Sequence, residues 1–287
     1  MAIGAADGSV RKFPFPCAAA HHQNRRPPVR LRAASTATGE RMERDTAGTR
    51  ERVLIVGGSS GMGLALAERL LGEGAEVIIV GRTQPRLAAA QQRLQAPDRL
   101  RTIAADVTQE AQVVRLFQGI GRVDHVVTTA ADIAGAYRLL PELDMAAARN
   151  VIDSKLVGPL LLAKYASPVL APSGSITFTS GIAAYRPAPR GSVVAAANGA
   201  LASLACALAV ELAPIRVNVV SPGWVDTPIW ASVAGDAKAA TLEAMAKRLP
   251  VGRIGHPDDI ADALRFMMRN SFVTGTVLHV EGGHRLV

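Results

Sequence analysis

The chain has 287 residues, of which 49% are hydrophobic, and it carries a formal net charge of +8. This length is sufficient for one large α/β domain with its own core, or for two small domains. Nine basic residues against four acidic ones fall within residues 1–50, so the excess charge indicates a basic tail rather than a nucleic-acid-binding face, and we predict no nucleic-acid partner.

Residues 1–50 show no hydrophobic periodicity and are rich in Ala, Arg, Pro and Thr, a composition typical of disorder. We therefore predict a disordered basic tail. Up to residue 39 it holds six basic residues and a single acid, Asp7, which resembles an organellar transit peptide. Alternatively, translation starts at Met42 and the tail is an artefact of an early start codon. The second alternative, which we favour, predicts a cytoplasmic protein, and the first an organellar one.

From residue 52 onward, short apolar runs alternate with segments typical of helices. The runs are mostly β-branched and lack polar alternation, as in strands that are buried on both faces of a parallel sheet. They read RVLIV, EVIIV, RTIAADV, DHVVTTA, SITFTS, IRVNVV and TVLHV. This alternation predicts an α/β fold: a Rossmann-like, doubly wound parallel sheet of about seven strands with helices on both faces, in one domain over residues 51–287.

The sequence GGSSGMG, residues 57–63, follows the first predicted strand and opens the first predicted helix. Glycines in this context allow a tight turn and a close approach of the backbone, and free N–H groups at the helix start then face a pyrophosphate. The flanking strand and helix favour this interpretation over an ordinary flexible turn. The predicted contacts are Gly57, Ser59, Ser60, Gly61, Met62 and Gly63.

The second predicted strand ends in Gly81-Arg82, where an NAD site usually has an acid for the ribose 2′-hydroxyl. The guanidinium of Arg82 suits a 2′-phosphate, and Arg86 could assist. Alternatively, both are solvated arginines at the start of a helix. We predict NADP(H) as the cofactor. Asp106, which with Val107 ends the third strand, could accept a hydrogen bond from the adenine amino group or could cap the next helix.

Together these residues resemble the short-chain dehydrogenase/reductase family over about residues 51–287. GGSSGMG is similar to the family's Gly-x-x-x-Gly-x-Gly, and residues 128–131, TTAA, stand where the family has Asn-Asn-Ala-Gly. Residues 215–228, IRVNVVSPGWVDTP, resemble the segment after its sixth strand, and residues 273–286 its last strand. The resemblance implies an oxidoreductase with a small-molecule substrate. It also implies further cofactor contacts, at Thr129, Ala130, Pro222, Gly223, Val225 and Thr227.

The catalytic positions depart from the family's Asn–Ser–Tyr–Lys tetrad. Val194 and Asn198 stand where Tyr and Lys are expected, Gly181 stands at the Ser beside Ser180, and Lys155 stands at the Asn. Lys155 and Asn198 look like a swap of the family's Asn and Lys, in which Lys155 would bind the nicotinamide ribose. Alternatively, the swap is a coincidence and Lys155 reaches solvent. We predict Lys155, Ser180 and Asn198 as catalytic residues, with Lys155 also binding the cofactor.

Two functions stay open at this point. The first is an NADP(H)-dependent oxidoreductase that transfers a hydride to or from a carbonyl or alcohol by a proton route unlike the family's. The second is a non-redox, nucleotide-binding member of the family: a cyclase, an isomerase or a regulatory subunit. The family's Tyr donates the substrate proton, and candidates to replace it are Lys155, Ser180, Tyr185 and Asp132. General acid catalysis contributes about 10²–10⁴-fold in rate, so the missing phenol matters.

Residues 193–213 form an apolar run that is long enough to span a membrane. Polar residues interrupt it and a helix of the fold explains it better, so we predict no membrane partner. The resemblance implies that this helix packs against its mate in a second subunit, so we predict a homodimer or homotetramer that also uses residues 155–171. Cys206 in this run is predicted to pack as a small hydrophobe. Neither the two cysteines nor the six histidines form a metal motif, so we predict no metal.

Overall fold

Parallel strands form a seven-stranded central sheet, in the order β3-β2-β1-β4-β5-β6-β7. The chain winds outward from β1 in both directions, which is the doubly wound arrangement. The predicted fold class is therefore confirmed. The strands are β1 Arg52–Val56, β2 Glu76–Gly81, β3 Leu100–Ala104, β4 Val123–Thr128, β5 Leu170–Thr179, β6 Arg216–Pro222 and β7 Val277–Val280.

This computed structural model describes residues 50–287, apart from the side chain of Ser232. The predictions for the tail, namely disorder, a transit peptide or an early start codon, fall on residues 1–49 and lie outside the described residues. The α-helices of the described part are α1 Gly61–Gly72, α2 Gln84–Leu94, α3 Glu110–Ile120, α4 Met145–Ile152, α5 Gly158–Ala166, α6 Ser192–Glu211, α7 Ile229–Ala234, α8 Lys238–Ala246 and α9 Pro257–Arg269.

The two faces of the sheet carry separate cores. Successive residues of β1 point to opposite faces, so Leu54 packs in a cluster with residues of α3, α5 and α6, whereas Ile55 packs with residues of α1 and α9. Phe178 on the first face and Leu264 on the second are completely buried. Burial on both faces explains why the strand sequences are apolar throughout and lack alternation.

The helix that follows β4 is interrupted by a wider turn. Between α4 and α5, residues Asp153–Val157 form a π-helical segment, in which the Gly158 N–H donates to the carbonyl oxygen of Asp153, five residues earlier. Pro159 has no N–H and so cannot donate to the carbonyl oxygen of Lys155, which an α-helix would require. Short π segments of this kind are rare and often occur at functional sites.

Helix α6 is the apolar run that the sequence singled out. It has a mean hydropathy of 2.0 and is long and apolar enough to cross a membrane by length and composition alone. In the fold its inner side, with Leu201, Ala205 and Leu208, packs in the core beside the sheet. The prediction for Cys206 is wrong, because this residue lies on the opposite side of the helix and is exposed.

Candidate active site

A cavity of about 580 Å³ lies at the carboxyl ends of β1 to β4. The strand order reverses at β1, so the loops that leave β1 and β4 diverge and open a crevice, which is where ligands of this fold class bind. Most of the predicted cofactor residues line it. They are Gly57, Ser59, Ser60, Gly61, Met62, Arg82, Asp106, Val107, Thr129, Ala130 and Thr227.

At Gly57 the first turn leaves no room for a side chain. Gly57 has a φ of +88°, and a Cβ added there would lie 2.7 Å from the backbone nitrogen of Ala130. Ser60 is the residue before α1, and its side chain does not cap the first N–H groups of the helix. The residues at this helix start line the cavity. A bare backbone at the start of a twelve-residue helix fits the pyrophosphate of a dinucleotide.

Arg82 and Arg86 both line the cavity, but Arg82 has an acidic partner. Its Nη1 atom donates a hydrogen bond to Oδ2 of Asp132 over 2.7 Å. From the sequence we expected no acid at this part of the site, because β2 ends without one. That expectation is wrong, because the loop after β4 brings the carboxylate of Asp132 next to Arg82. Arg86 forms no ion pair or side-chain hydrogen bond with any other residue between 50 and 287.

Asp106 takes part in a local turn. Its Oδ1 atom accepts hydrogen bonds from the N–H of Thr108, at 3.0 Å, and from the Thr108 hydroxyl, at 2.8 Å. α3 begins at Glu110 and its N-cap position is Gln109, whose side chain makes no capping hydrogen bond. Within residues 50–287 the Asp106 carboxylate bonds only Thr108, before the helix, so the capping role considered for Asp106 is wrong. The carboxylate still lines the cavity, and the adenine contact stays a prediction.

Lys155 lies in the π segment and is buried, with 6% of its surface exposed. The alternative in which it reaches solvent is therefore wrong. Its Nζ atom donates to the carbonyl oxygen of Ser180 over 3.5 Å, and no ion pair compensates its charge within residues 50–287. Burial lowers the pKa of Lys155 to about 8, because desolvation disfavours the ammonium form.

The three predicted catalytic residues meet at the end of β5. Lys155 reaches the carbonyl group of Ser180, and a Cβ added to Gly181 would lie 3.0 Å from Nδ2 of Asn198. The Ser180 hydroxyl and the Asn198 Oδ1 atom are buried, and neither has a hydrogen-bond partner in the part of the chain that the structure describes. Buried polar atoms without partners call for a ligand or water, so this cluster is suited to a bound substrate or ribose.

No phenol occupies the position expected for Tyr. Val194 is buried there in a small apolar cluster with Ala136 and Val151. The ring of Tyr185 packs edge-on against His279, with centroids 4.4 Å apart. Partial burial raises the pKa of Tyr185, so its phenol gives up a proton less readily than a solvated tyrosine. Asp132, bound to Arg82, has a pKa below its ordinary value and so holds no proton at neutral pH.

Five predicted cofactor residues do not line the cavity. Lys155 is buried with its amine against the carbonyl oxygen of Ser180, and Pro222 ends β6. Gly63 and Gly223 serve close packing: a Cβ at Gly63 would lie 2.5 Å from the carbonyl oxygen of Gly57, and one at Gly223 would lie 2.6 Å from Cα of Glu281. Val225 is buried and pairs with Gly255 through an isolated bridge.

Sequence reasoning missed an aromatic cluster near the last strand. Trp224, which follows Pro222-Gly223, packs against Trp230 at a centroid distance of 4.4 Å and against His284 at 6.3 Å. The Nδ1 atoms of His279 and His284 are buried without a partner among residues 50–287. In the sequence, this cluster was indicated only by the Trp residues that follow β6 and the His residues in and after β7. Among the same residues, no group of three or more His, Cys, Asp or Glu could hold a metal ion.

The doubly wound sheet and the glycine-rich turn define a nucleotide-binding α/β class of protein. Within that class, the chain belongs to the short-chain dehydrogenase/reductase family. The family model described as Enoyl-(Acyl carrier protein) reductase matches residues 56–285. This match covers most of the chain and the whole of the site described above.

Individual relatives support the same assignment. The short-chain dehydrogenase/reductase malC of Malbranchea aurantiaca is 34% identical over 248 residues, 81% of this chain and 94% of the relative. Its solved structure, described as MalC Reductase/Diels-Alderase, has a TM-score of 0.77 and covers 83% of this chain and 98% of that one. The cis-4-hydroxycyclohexanecarboxylate dehydrogenase of Sinomonas cyclohexanicum is 36% identical over 83% of this chain and 98% of its own. A small-chain dehydrogenase in complex with NADPH is 32% identical, with a TM-score of 0.72, over 83% of this chain and all of that one.

Proposed function

We propose that this protein is an NADP(H)-dependent oxidoreductase that transfers a hydride to or from a carbonyl or alcohol on a small molecule, with Lys155 in place of the family's Tyr as the proton donor. The observation that carries the proposal is the buried Lys155 ammonium with a pKa of about 8, held next to Ser180 at the end of β5. An ammonium with this pKa can lose its proton near neutral pH, which a solvated lysine cannot do.

The residues of the cavity fit an NADP(H) cofactor. The bare turn at Gly57 and Gly61 and the start of α1 would hold the pyrophosphate, and Arg82 and Arg86 would bind the 2′-phosphate. The NADPH complex of a small-chain dehydrogenase with a similar fold supports this choice. When bound, the cofactor supplies or accepts the hydride, and the chain supplies binding, orientation and the proton.

During reduction, negative charge develops on the substrate oxygen. The Lys155 ammonium stabilises this charge and donates a proton from Nζ to the oxygen, becoming a neutral amine that solvent protons restore. Because Lys155 is buried from water, its interaction with the developing charge is only weakly screened. In the oxidation direction the neutral amine takes the proton from the alcohol.

Ser180 and Asn198 position the reactants in this mechanism. The Ser180 hydroxyl, which has no partner within residues 50–287, donates a hydrogen bond to the substrate oxygen. The Asn198 amide binds a ribose hydroxyl or a water molecule, as an acceptor through its unpartnered Oδ1.

A second candidate function is a ring-forming or isomerising reaction without redox chemistry. The observation in its favour is the apolar environment of Val194, where the family's phenol is absent. The relative whose structure is described as a reductase and Diels-Alderase also combines two kinds of chemistry in one fold. In this alternative, Lys155 and Ser180 polarise a carbonyl without hydride transfer.

We also infer a homodimer or homotetramer. The outward side of α6 carries small or apolar residues, including Ser203, Cys206, Ala207 and Val210, and Val210 is 82% exposed. Leu160 on α5, which follows the π segment in the sequence, is 44% exposed. Exposed apolar stripes of this kind are typical of contacts between subunits. Light scattering at micromolar concentration tests this, and a monomer would contradict it.

The proposed reaction is tested by incubating the purified full chain with NADPH and a panel of ketones, aldehydes and quinones while cofactor absorbance is followed. We expect turnover with at least one class, and we expect Lys155→Met to reduce it by about 100-fold or more. The matched control is Lys164→Met, which alters an exposed lysine of α5 paired with Glu110. Turnover that is unchanged in Lys155→Met would contradict the proton role. Substrate conversion without any absorbance change would favour the second function.

A further inference from the structure

We propose that Asp132 is a specificity-determining residue of the cofactor site, because its carboxylate competes with the 2′-phosphate of NADP(H) for the guanidinium of Arg82. This inference rests on the proposed function and adds to it a residue on the opposite side of the crevice. Asp132 stands at a position where the sequence offered no reason to expect a role in cofactor choice.

The pair bridges the crevice. Arg82 follows β2 and Asp132 lies in the loop after β4, and β1 lies between these two strands in the sheet. The 2.7 Å hydrogen bond from Nη1 to Oδ2 therefore passes across the carboxyl end of β1, where the glycine-rich turn begins. Both side chains line the same cavity of about 580 Å³.

Asp132 is the fixed member of the pair. Its Oδ1 atom accepts a hydrogen bond from the N–H of Ala134 at 3.3 Å, and its own N–H donates to the Ser154 hydroxyl at 3.0 Å. The side chain of Asp132 is 27% exposed, whereas that of Arg82 is 57% exposed. The arginine can therefore turn toward a ligand more easily than the carboxylate can move away.

Asp132 also stays charged at neutral pH. Partial burial raises the pKa of its carboxyl group, but the hydrogen bonds from Arg82 and from the Ala134 N–H outweigh this effect, and the pKa lies below its ordinary value. A 2′-phosphate that binds Arg82 must displace this carboxylate and then lie near its negative charge. Arg86, which is unpaired within residues 50–287, offers a guanidinium without such competition.

It follows that the preference for NADP(H) over NAD(H) is weaker than it would be if both Arg82 and Arg86 were unpaired. Removing the charge of Asp132 while keeping its shape should release Arg82 for the phosphate. Because the Arg82–Asp132 pair is half exposed, the effect is moderate: we expect about fivefold tighter binding, which corresponds to about 1 kcal/mol.

The experiment uses isothermal titration calorimetry of the full chain with two probes of the adenosine half, 2′,5′-ADP and AMP. The variants are Asp132→Asn, which keeps the acceptor for Ala134, and Asp132→Ser as a second variant with a smaller acceptor. Asp98→Asn is the control, because it makes the same change of charge at an exposed turn before β3. Thermal melting confirms that each variant is folded.

We expect Asp132→Asn to tighten 2′,5′-ADP binding about fivefold and AMP binding less than about twofold, with Asp98→Asn changing neither. An unchanged ratio of the two affinities, or weaker binding of 2′,5′-ADP, would overturn the role of Asp132. The proposed NADP(H) function fails separately, if the unmodified chain binds 2′,5′-ADP no more tightly than AMP. In that case, an affinity that Asp132→Asn increases for 2′,5′-ADP but not for AMP would still support competition between Asp132 and the 2′-phosphate for Arg82.

Discussion

The Nζ atom of Lys155 lies 3.5 Å from the carbonyl oxygen of Ser180, and no carboxylate compensates its charge among residues 50–287. A buried ammonium held only by a neutral acceptor destabilises the fold, because little of its lost hydration is replaced. Groups of this kind are retained where catalysis needs them. The stability and the reactivity of the protein therefore depend on the same atom, and both can be measured.

Replacing Lys155 with Met should stabilise the protein at pH 7. The folded pKa of about 8 lies below the ordinary 10.5, and this difference corresponds to roughly 3 kcal/mol of stability lost below pH 8. In the unmodified chain the unfolding free energy should rise between about pH 8 and 10.5, because the unfolded lysine holds its proton there and the folded one does not. Denaturant melts at pH 7 and pH 10 should show a gain of about 1–3 kcal/mol for Lys155→Met at pH 7 and a smaller one at pH 10. A variant that is less stable at pH 7 would contradict the buried charge.

The pH dependence of turnover should follow the same group. Reduction needs the ammonium form of Lys155, so its rate should fall as the pH rises through about 8. Oxidation needs the neutral amine, so its rate should rise over the same interval. Initial rates in both directions check this, and the residual rate of Lys155→Met should lack the transition. Two profiles that fall together would exclude Lys155 as the proton donor and acceptor.

Arg82 should determine the preference for NADPH. We expect Arg82→Ala to weaken NADPH binding by about 10- to 100-fold, because a charge-assisted hydrogen bond to phosphate is lost, and to change NADH binding by less than about threefold. Quenching of intrinsic fluorescence measures both affinities. Arg93→Ala is the control, since Arg93 is an exposed arginine of α2 that pairs with Glu68. Equal affinity of the unmodified chain for both cofactors would refute this prediction.

Gly63 should tolerate no side chain. A Cβ there would lie 2.5 Å from the carbonyl oxygen of Gly57 and 2.6 Å from the Thr129 hydroxyl. We expect Gly63→Ala to cost about 1–3 kcal/mol of stability and to weaken cofactor binding, because the glycine-rich turn must shift. Gly72→Ala, at the end of the same helix, adds a Cβ that meets nothing within 4 Å. It should be neutral or stabilising by up to about 1 kcal/mol, and thermal melts of the two variants make the comparison.

Glu51 should contribute stability that is lost in acid. Its carboxylate accepts hydrogen bonds from His125 and Arg269, at 3.2 Å and 3.0 Å, and these lower its pKa to about 2 against the effect of burial. A carboxyl group with a depressed pKa stabilises the fold above its unfolded value of about 4.5 and loses that contribution as the pH falls toward 2. Glu51→Gln should therefore cost about 1–2 kcal/mol at pH 7 and little at pH 2.5, whereas Glu68→Gln at an exposed ion pair should cost less than about 1 kcal/mol at either pH.

The strands of the fold and the glycine-rich part of the site could be predicted, because they depend on residues that are close together in the sequence. The β-branched runs and the glycine-rich turn each depend on neighbouring residues, so the strand positions, the sheet and the start of α1 could be read from the sequence. The pairing of Arg82 with Asp132 could not, because fifty residues separate them and only the reversal of strand order brings them together. The exposure of Cys206 was hidden as well, because α6 is apolar on all sides and shows no polar stripe to mark its outer face.

The π segment Asp153–Val157 has a consequence for how this chain tolerates changes in length. A turn closed over five residues instead of four holds one residue more than an α-helix would, and one residue corresponds to a rotation of about 100°. The wider turn takes up this extra residue, and it holds Ser154 at the cavity and Lys155 beside Ser180. A single-codon deletion within this segment would remove the wider turn without rotating α4 against α5, but it would shift Ser154 and Lys155 from their present positions. An insertion or deletion within α4 or α5 has no wider turn to absorb it, so it would rotate the rest of the helix by about 100° for each residue and separate the Lys155 amine from β5.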